Sequence, residues 1–267
     1  MYRYEYHKPV FVDSHCHLVD PSLLTVLPEI LSRAKTEGVH GFIVPGVTRQ
    51  EWGMIESVMQ PEGGVYAAYG VHPLHSISFD EKAAAELFEY AKRGAVAIGE
   101  IGLDYTYVGI PRDIQMLAFR EQLKIAVVLG LPVLLHCRRA FEDLITIVKE
   151  ESNGLVGGVM HAFSGSVETA EQCLRLGLHI SICGTVTYPN AVKPIRVANH
   201  IPLDRMLLET DAPDLSPEPY RGMVNEPSYI RRVAEKISEV KGVSVDRIAE
   251  VTTANAERLF CKIFKKN

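Results

Sequence analysis

Long apolar runs are missing from this sequence. The stretch 125–135 is among the longest, and Gly130 and Pro132 interrupt it well short of the roughly 20 residues that a membrane-spanning helix needs. Residues 1–9 are aromatic and charged, without the apolar run of a signal peptide. These absences exclude a membrane-embedded protein, and we expect a cytoplasmic chain with no membrane partner.

Cysteine is scarce, and its spacing shows no pairs. The chain has five cysteines, an odd number, and no two of them form a C-x-x-C pair. Small secreted domains that depend on disulfides show even numbers of cysteines at close spacings. A disulfide framework is therefore not expected, which again favours a reducing compartment.

An excess of positive charge is also missing. The chain has 28 basic and 33 acidic residues, a formal net charge of -5. Duplex-binding proteins usually present a broad basic surface to the phosphate backbone. A nucleic-acid substrate would therefore have to be held locally, by metal ions or by a few arginines. Nothing in the sequence indicates an obligate protein partner.

The 267 residues instead show a regular alternation of strand-like and helical segments. Leu23, Leu27 and Ile30, for example, have the spacing of one helix face. The strand-like runs follow one another at intervals of about 28 residues, which suits repeated βα units. They are 10–12, 40–45, 65–71, 95–98, 132–135, 156–160, 179–183 and 206–208.

Eight such units predict an α/β protein, a single (β/α)8 TIM barrel formed as one domain by residues 1–267. The rival is a doubly wound open sheet, which usually carries a glycine-rich turn after its first strand. Here the first strand is followed by the sequence DSHCH at 13–17, which is not a phosphate-binding turn. The barrel is therefore the preferred interpretation.

Side chains that bind metal ions recur where the predicted strands end. In a barrel all these ends lie on one face, the face that carries active sites. Imidazole with carboxylate is the ligand set of hydrolytic divalent-metal sites. The predicted metal ligands are His15, His17, Glu100, His136, His161 and Asp211.

Four imidazoles and two carboxylates are too many for one tetrahedral ion, so the set predicts two ions. Glu100 is the expected bridge because it comes from a middle strand. A hydroxide shared by the ions would be the nucleophile. Asp211 would bind one ion and also carry the proton to the leaving group, which makes Glu100 and Asp211 the predicted catalytic residues.

Four further residues are candidate substrate contacts, each with a structural alternative. His72 either meets the substrate or orients its loop, and Arg138 either binds a phosphate or pairs with Glu142. Arg221 and Asn225 either bind phosphate or brace the loop that follows the eighth strand. Asp13 is expected to orient the first strand or a ligand histidine.

Several short motifs, in one fixed order, resemble those of the TatD-type deoxyribonuclease family of metal-dependent hydrolases. They are DSHCHL at 13–18, GVHP at 70–73, GEIGLDY at 99–105, PVLLHCR at 132–138, HAFSG at 161–165, ETDAP at 209–213, and RG at 221–222 with NEP at 225–227. The resemblance covers the chain from near its start to its final helices. The segment 106–111 departs from common members, and because it would lie over the site it bears on substrate preference.

The resemblance implies a (β/α)8 barrel, divalent metal, and hydrolysis of DNA phosphodiesters, often from an end. It also implies that Glu100 serves two ions, one with His15, His17 and Asp211, and the other with His136 and His161.

The first interpretation is therefore a two-metal phosphodiesterase acting on DNA ends, with Zn²⁺, Mg²⁺ or Mn²⁺. Two alternatives stay open. The same site could hydrolyse an amide, ester or lactone, or deacylate an aminoacyl-RNA, and the residues outside the metal set would decide. A metal-stabilised binding module without catalysis is the third.

Overall fold

The eight predicted strands form a single parallel sheet in chain order. The computed structural model describes residues 9–151 and 153–263, so the predicted domain 1–267 extends beyond the described part. The strands β1 to β8 are Phe11–Asp13, Val39–Pro45, Val65–Tyr69, Ala97–Asp104, Val133–Arg138, Gly158–Met160, Leu178–Ile182 and Met206–Leu208.

Backbone hydrogen bonds bring the last strand back to the first. Ser14 N donates to the Leu208 carbonyl at 3.0 Å, and Asp211 N donates to the His15 carbonyl at 2.9 Å. The sheet is thus a nearly closed (β/α)8 barrel, as predicted, and the open-sheet alternative is wrong.

Helices follow most strands and cover the outside of the sheet. In the described residues they are α1 Pro21–Leu24, α2 Leu27–Thr36, α3 Trp52–Val58, α4 Glu81–Lys92, α5 Arg112–Leu129, α6 Phe141–Glu151, α7 Val167–Arg175, α8 Val192–His200, α9 Ile230–Lys241 and α10 Val245–Leu259. None of these helices combines the length and apolar character needed to cross a membrane.

Two buried clusters account for the packing. The larger one lies between the strands and the outer helices, where Phe42 and Trp52 are fully buried. The smaller one includes Val12 and Leu134 from the strands together with Phe260 and Ile263 from the end of the chain. The residues after α10 therefore pack against the barrel core.

The predicted end of the fourth strand is wrong in an informative way. The sequence predicts a fourth strand at 95–98, but β4 continues to Asp104. Its pairing with β5 shifts between Ile98 and Ile101, which face Val133 and Leu135, so β4 has one extra residue there. Glu100 therefore lies in an irregular part of β4 rather than after its end.

Candidate metal centre

The six predicted ligands converge at the carboxyl-terminal mouth of the barrel. Backbone hydrogen bonds hold the segments that carry these ligands against neighbouring strands. His161 N, for example, donates to the Leu135 carbonyl at 3.0 Å. Five of the six line a cavity of about 780 Å³. The sixth, His15, is fully buried beneath it.

The first cluster consists of His15 Nε2, His17 Nε2, Asp211 Oδ1 and Glu100 Oε2. The two imidazole nitrogens are 3.2 Å apart. Each lies 3.4–3.8 Å from Glu100 Oε2 and 3.5–3.6 Å from Asp211 Oδ1. Ligand atoms about 2.1 Å from a tetrahedral ion are about 3.4 Å from one another. Five of the six separations among these atoms are therefore close to those of ligands around one divalent cation, and His15, His17 and Glu100 form a group that could hold an ion.

The second cluster is built on the other oxygen of the same carboxylate. Glu100 Oε1 is 2.8 Å from His136 Nδ1 and 3.0 Å from His161 Nε2, and those two nitrogens are 3.3 Å apart. His72 Nε2 is 3.7 Å from Glu100 Oε1. The two oxygens of Glu100 thus face two groups of imidazoles, which is the arrangement of a bridging carboxylate.

His72 lies closer to this centre than its predicted substrate role requires. Its Nδ1 accepts a hydrogen bond from Leu74 N at 3.1 Å, which leaves Nε2 facing Glu100. Its ring contacts that of His136 edge-on, with 4.3 Å between the centroids. His72, Glu100 and His136 form a further group that could hold an ion.

Two carboxylates that the sequence analysis did not single out lie behind the imidazoles. Asp104 Oδ2 is 3.1 Å from His136 Nε2, and a bond there leaves the Nδ1 lone pair of His136 facing the centre. Glu209 Oε1 is 3.5 Å from His161 Nδ1 and accepts the Ala162 amide. Asp104 follows Glu100 by four residues in β4, and Glu209 precedes Asp211 by two in the segment after β8, so an even spacing from a predicted ligand was the available signal.

Asp13 joins the end of β1 to the segment that follows β8, in agreement with the orienting role expected for it. Its Oδ1 accepts hydrogen bonds from Thr210 N at 2.9 Å and His15 N at 3.3 Å, and its Oδ2 accepts one from the Thr210 hydroxyl. Burial raises the pKa of Asp13 to about 7. These bonds fix the backbone on either side of His15 and Asp211.

The electrostatics of the centre favour a cation. Burial opposes the ionisation of Glu100, but His161, His72 and His15 outweigh it and hold the pKa of this carboxyl well below its usual range. Burial also opposes the protonation of His161, but Glu100 and Asp211 raise its pKa well above normal. Glu100 and Asp211 therefore stabilise positive charge at this site. A metal ion bound there would take the place of the proton on the imidazole of His161.

The remaining predicted contacts fall into two groups. Arg138 is exposed and lines the cavity, and among the described residues no ion pair joins it to Glu142. Arg221 is exposed as well, but its guanidinium lies over the Tyr188 ring at 4.2 Å from the centroid, outside the cavity lining. Lys193 also lines the cavity, and the sequence analysis missed it.

Asn225 is wrongly placed among the substrate contacts. Its side chain is fully buried, and Nδ2 donates to the carbonyls of Thr210 and Asp214 at 2.8 and 2.6 Å. A side chain held in this way has no exposed atom for a phosphate. Asn225 braces the loop after β8, the second of the two roles open to it.

Comparison with known proteins shows the family to which this chain is similar. The family model described as TatD related DNase matches residues 12–261. The uncharacterized metal-dependent hydrolase YabD of Bacillus subtilis is 44% identical over 249 residues, covering 93% of this chain and 98% of that protein. The 3'-5' ssDNA/RNA exonuclease TatD of Edwardsiella piscicida is 34% identical over 242 residues, covering 88% and 93%.

Among solved structures, the TatD homologue YjjV of Escherichia coli superposes with a TM-score of 0.90 at 34% identity, covering 96% of this chain and 99% of that one. Fold and sequence likeness thus agree over nearly the whole length. The chain belongs to the TatD family of metal-dependent hydrolases.

Proposed function

We propose that this protein is a two-metal phosphodiesterase that shortens single-stranded nucleic acid from an end, with DNA as the principal substrate. The observation that carries the proposal is the division of Glu100 between the two clusters, with Oε2 facing His15 and Oε1 facing His136. Two-metal sites occur in phosphatases, polymerases and nucleases, and also in aminopeptidases, so the site supports hydrolysis and the choice of bond rests on the relatives. The name of the Edwardsiella relative, a ssDNA/RNA exonuclease, supports the choice of substrate.

The ligands proposed for the first ion are His15, His17, Asp211 and Glu100, and those for the second are Glu100, His136 and His161. His72 Nε2 is 3.7 Å from Glu100, but its Nδ1 accepts from Leu74 N, so Nε2 of the neutral ring carries the proton and His72 stays a proposed substrate contact rather than a ligand. The majority of imidazoles suits Zn²⁺, whereas phosphodiester chemistry also uses Mg²⁺ or Mn²⁺. Bound ions would supply Lewis acidity at the phosphoryl oxygen and lower the pKa of water.

Asp211 is the proposed proton carrier. Burial opposes its ionisation, but His161 and its contact with His17 lower the pKa of Asp211, so the carboxylate is ionised at neutral pH. It lies at the mouth with a small exposed fraction of 9%, enough to meet an attacking water. Oδ1 or Oδ2 would accept a proton from that water and deliver it to the leaving oxygen.

The cytoplasm remains the proposed compartment. All five cysteines are free thiols in the structure, and four of them are buried. The net charge of -5 also means that the nucleic acid would be held at the mouth rather than along a broad basic surface.

The first test combines metal content with cleavage. Wild type and the variants Glu100→Gln and Asp211→Asn would be stripped with chelator and reloaded with Zn²⁺, Mn²⁺ or Mg²⁺ in turn. We expect two ions per wild-type chain and stepwise shortening of an end-labelled single-stranded oligonucleotide. Glu100→Gln should lose metal and activity, whereas Asp211→Asn should lose turnover by a factor of about 10² or more.

The matched control is Glu239→Gln, because Glu239 is exposed on α9 and pairs only with Lys236 in the described residues. It should keep both ions and full activity. Two ions per chain in Glu100→Gln would contradict the bridge. A folded, metal-loaded wild type that leaves every oligonucleotide intact would contradict the nuclease, and carbonyl substrates would then be tested.

A further inference from the structure

Two fixed positive charges line the cavity above the metal centre. Arg138 is the last residue of β5, and Lys193 is the second residue of α8, which follows β7. Both side chains belong to exposed residues, whereas Glu100 and Asp211 below them are buried. A substrate would meet these cations before it reaches the centre.

The position of Lys193 is supported by a contact across the rim. Its Nζ donates to the Ser164 carbonyl at 3.3 Å, and Ser164 belongs to the loop that follows β6. Lys193 therefore leans toward β6, over the segment that carries His161. An ammonium group has three donors, so this bond leaves two of them for a ligand.

The two cations are grouped on one side of the mouth. The arc from β5 to β7 carries both cations, while Asp104 from β4 and Asp214 from the segment after β8 lie on either side of it. Strands two apart in a sheet are separated by about 10 Å. A polyanion would therefore be drawn over the β6 loop, between Arg138 and Lys193, and repelled from the two flanks.

From this arrangement we infer that Lys193 binds a phosphate of the substrate other than the one under attack, so that the strand crosses the rim over the β6 loop. The inference rests on the proposed nuclease function. It names Lys193 as a specificity residue, because a substrate needs a second phosphate to reach it. A chain with two or more phosphates is then preferred over a single phosphodiester.

The test compares a dinucleotide, which has one phosphodiester, with a trinucleotide, which has two. Metal-loaded wild type, Lys193→Gln and the control Lys92→Gln would be assayed on both. Lys92 ends α4, on the face away from the mouth, and pairs with Glu89. Wild type and Lys92→Gln should favour the trinucleotide by about fivefold in KM, the effect of one exposed ion pair.

Lys193→Gln should lose this length advantage. With a longer oligonucleotide, the slope of log KM against log salt should also fall by about 0.7, as expected for one lost phosphate contact on a single strand. An unchanged length advantage and slope in Lys193→Gln would overturn the inference while leaving the nuclease intact. If the wild type cleaves neither of these substrates nor the longer oligonucleotide with any of the metals, the proposed function fails, and the role of Lys193 fails with it.

Discussion

At the scale of single residues, the centre depends on how its imidazoles are oriented as much as on which residues bind. A neutral imidazole has one donor and one acceptor nitrogen, and the partner of the donor decides which nitrogen faces the ion. His136 presents Nδ1 to Glu100 and Nε2 to Asp104, so both nitrogens are engaged. Asp104 thereby acts through His136 without reaching the centre itself.

Removing the charge of Asp104 should therefore weaken metal binding. We expect Asp104→Asn to raise the dissociation constant of the second ion by about 10- to 100-fold, because a neutral amide holds His136 less firmly. Isothermal titration of the stripped protein with Zn²⁺ measures this directly. Asp246→Asn, at an exposed position in the first turn of α10, is the control. Equal affinity in the two variants would show that Asp104 does not orient His136.

The ligands and their partners differ in how far the sequence reveals them. His15, Glu100 and Asp211 could be singled out because a polar side chain next to an apolar strand segment is conspicuous. Asp104 and Glu209 are equally buried, but each is only one acidic residue near a better candidate. What separates a ligand from its partner is the direction of the side chain, which the sequence pattern does not contain.

At the scale of elements, α5 holds two of the strands that carry the site. Two buried glutamines, one seven residues after the other, point from this helix to the sheet. Gln115 binds both the amide and the carbonyl of Asp104 at 2.8 and 2.9 Å, and Gln122 binds those of Val71 at 2.7 and 3.1 Å. Each glutamine thus satisfies an amide and a carbonyl that no neighbouring strand in the described part of the chain reaches. Asp104 lies beyond the last residue of β4 that pairs with β3, and Val71 lies after the end of β3.

Replacing Gln115 with Leu should destabilise the protein by about 2–4 kcal/mol, since two buried backbone groups of Asp104 would lose their partner. The urea midpoint should fall with little change in the slope m. Gln172→Leu, on the exposed face of α7, is the matched control and should stay within about 0.5 kcal/mol of wild type. A midpoint shift of the same size in both variants would contradict this role for Gln115.

Backbone pairing between strands explains why the strand ends were harder to predict than the strands themselves. The apolar run 95–98 stops where β4 becomes polar, yet β4 pairs with β5 as far as Asp104 and Arg138. After the irregular stretch that contains Glu100, backbone pairing resumes at Ile101 and continues past His136 because it does not depend on side-chain polarity. Lys193 was missed for a related reason: it lies in the first turn of a helix after a short 3-10 turn, well beyond the end of β7.

At the scale of the whole molecule, the centre ties together parts of the chain that are far apart in sequence. Its proposed ligands come from β4 and β5 and from the segments that follow β1, β6 and β8. The net charge of -5 gave no hint of a local cationic rim, because two cations near a cavity hardly change the total. Fold and ligand set follow from patterns that repeat along the chain, whereas the rim follows from which loops happen to meet.

Metal ions that join five strand ends should stabilise the folded chain, since the unfolded chain does not bring the ligands together. Free Zn²⁺ at 100 times the dissociation constant of one site adds about 2.7 kcal/mol. For a chain of this length that corresponds to a rise in Tm of about 5–10 °C, which chelation should reverse. Thermal unfolding by circular dichroism, with and without chelator, measures the shift. Glu100→Gln, which removes the shared carboxylate charge, should show a clearly smaller rise than Lys92→Gln, and an equal rise in both would mean that the ions stabilise the protein from some other place.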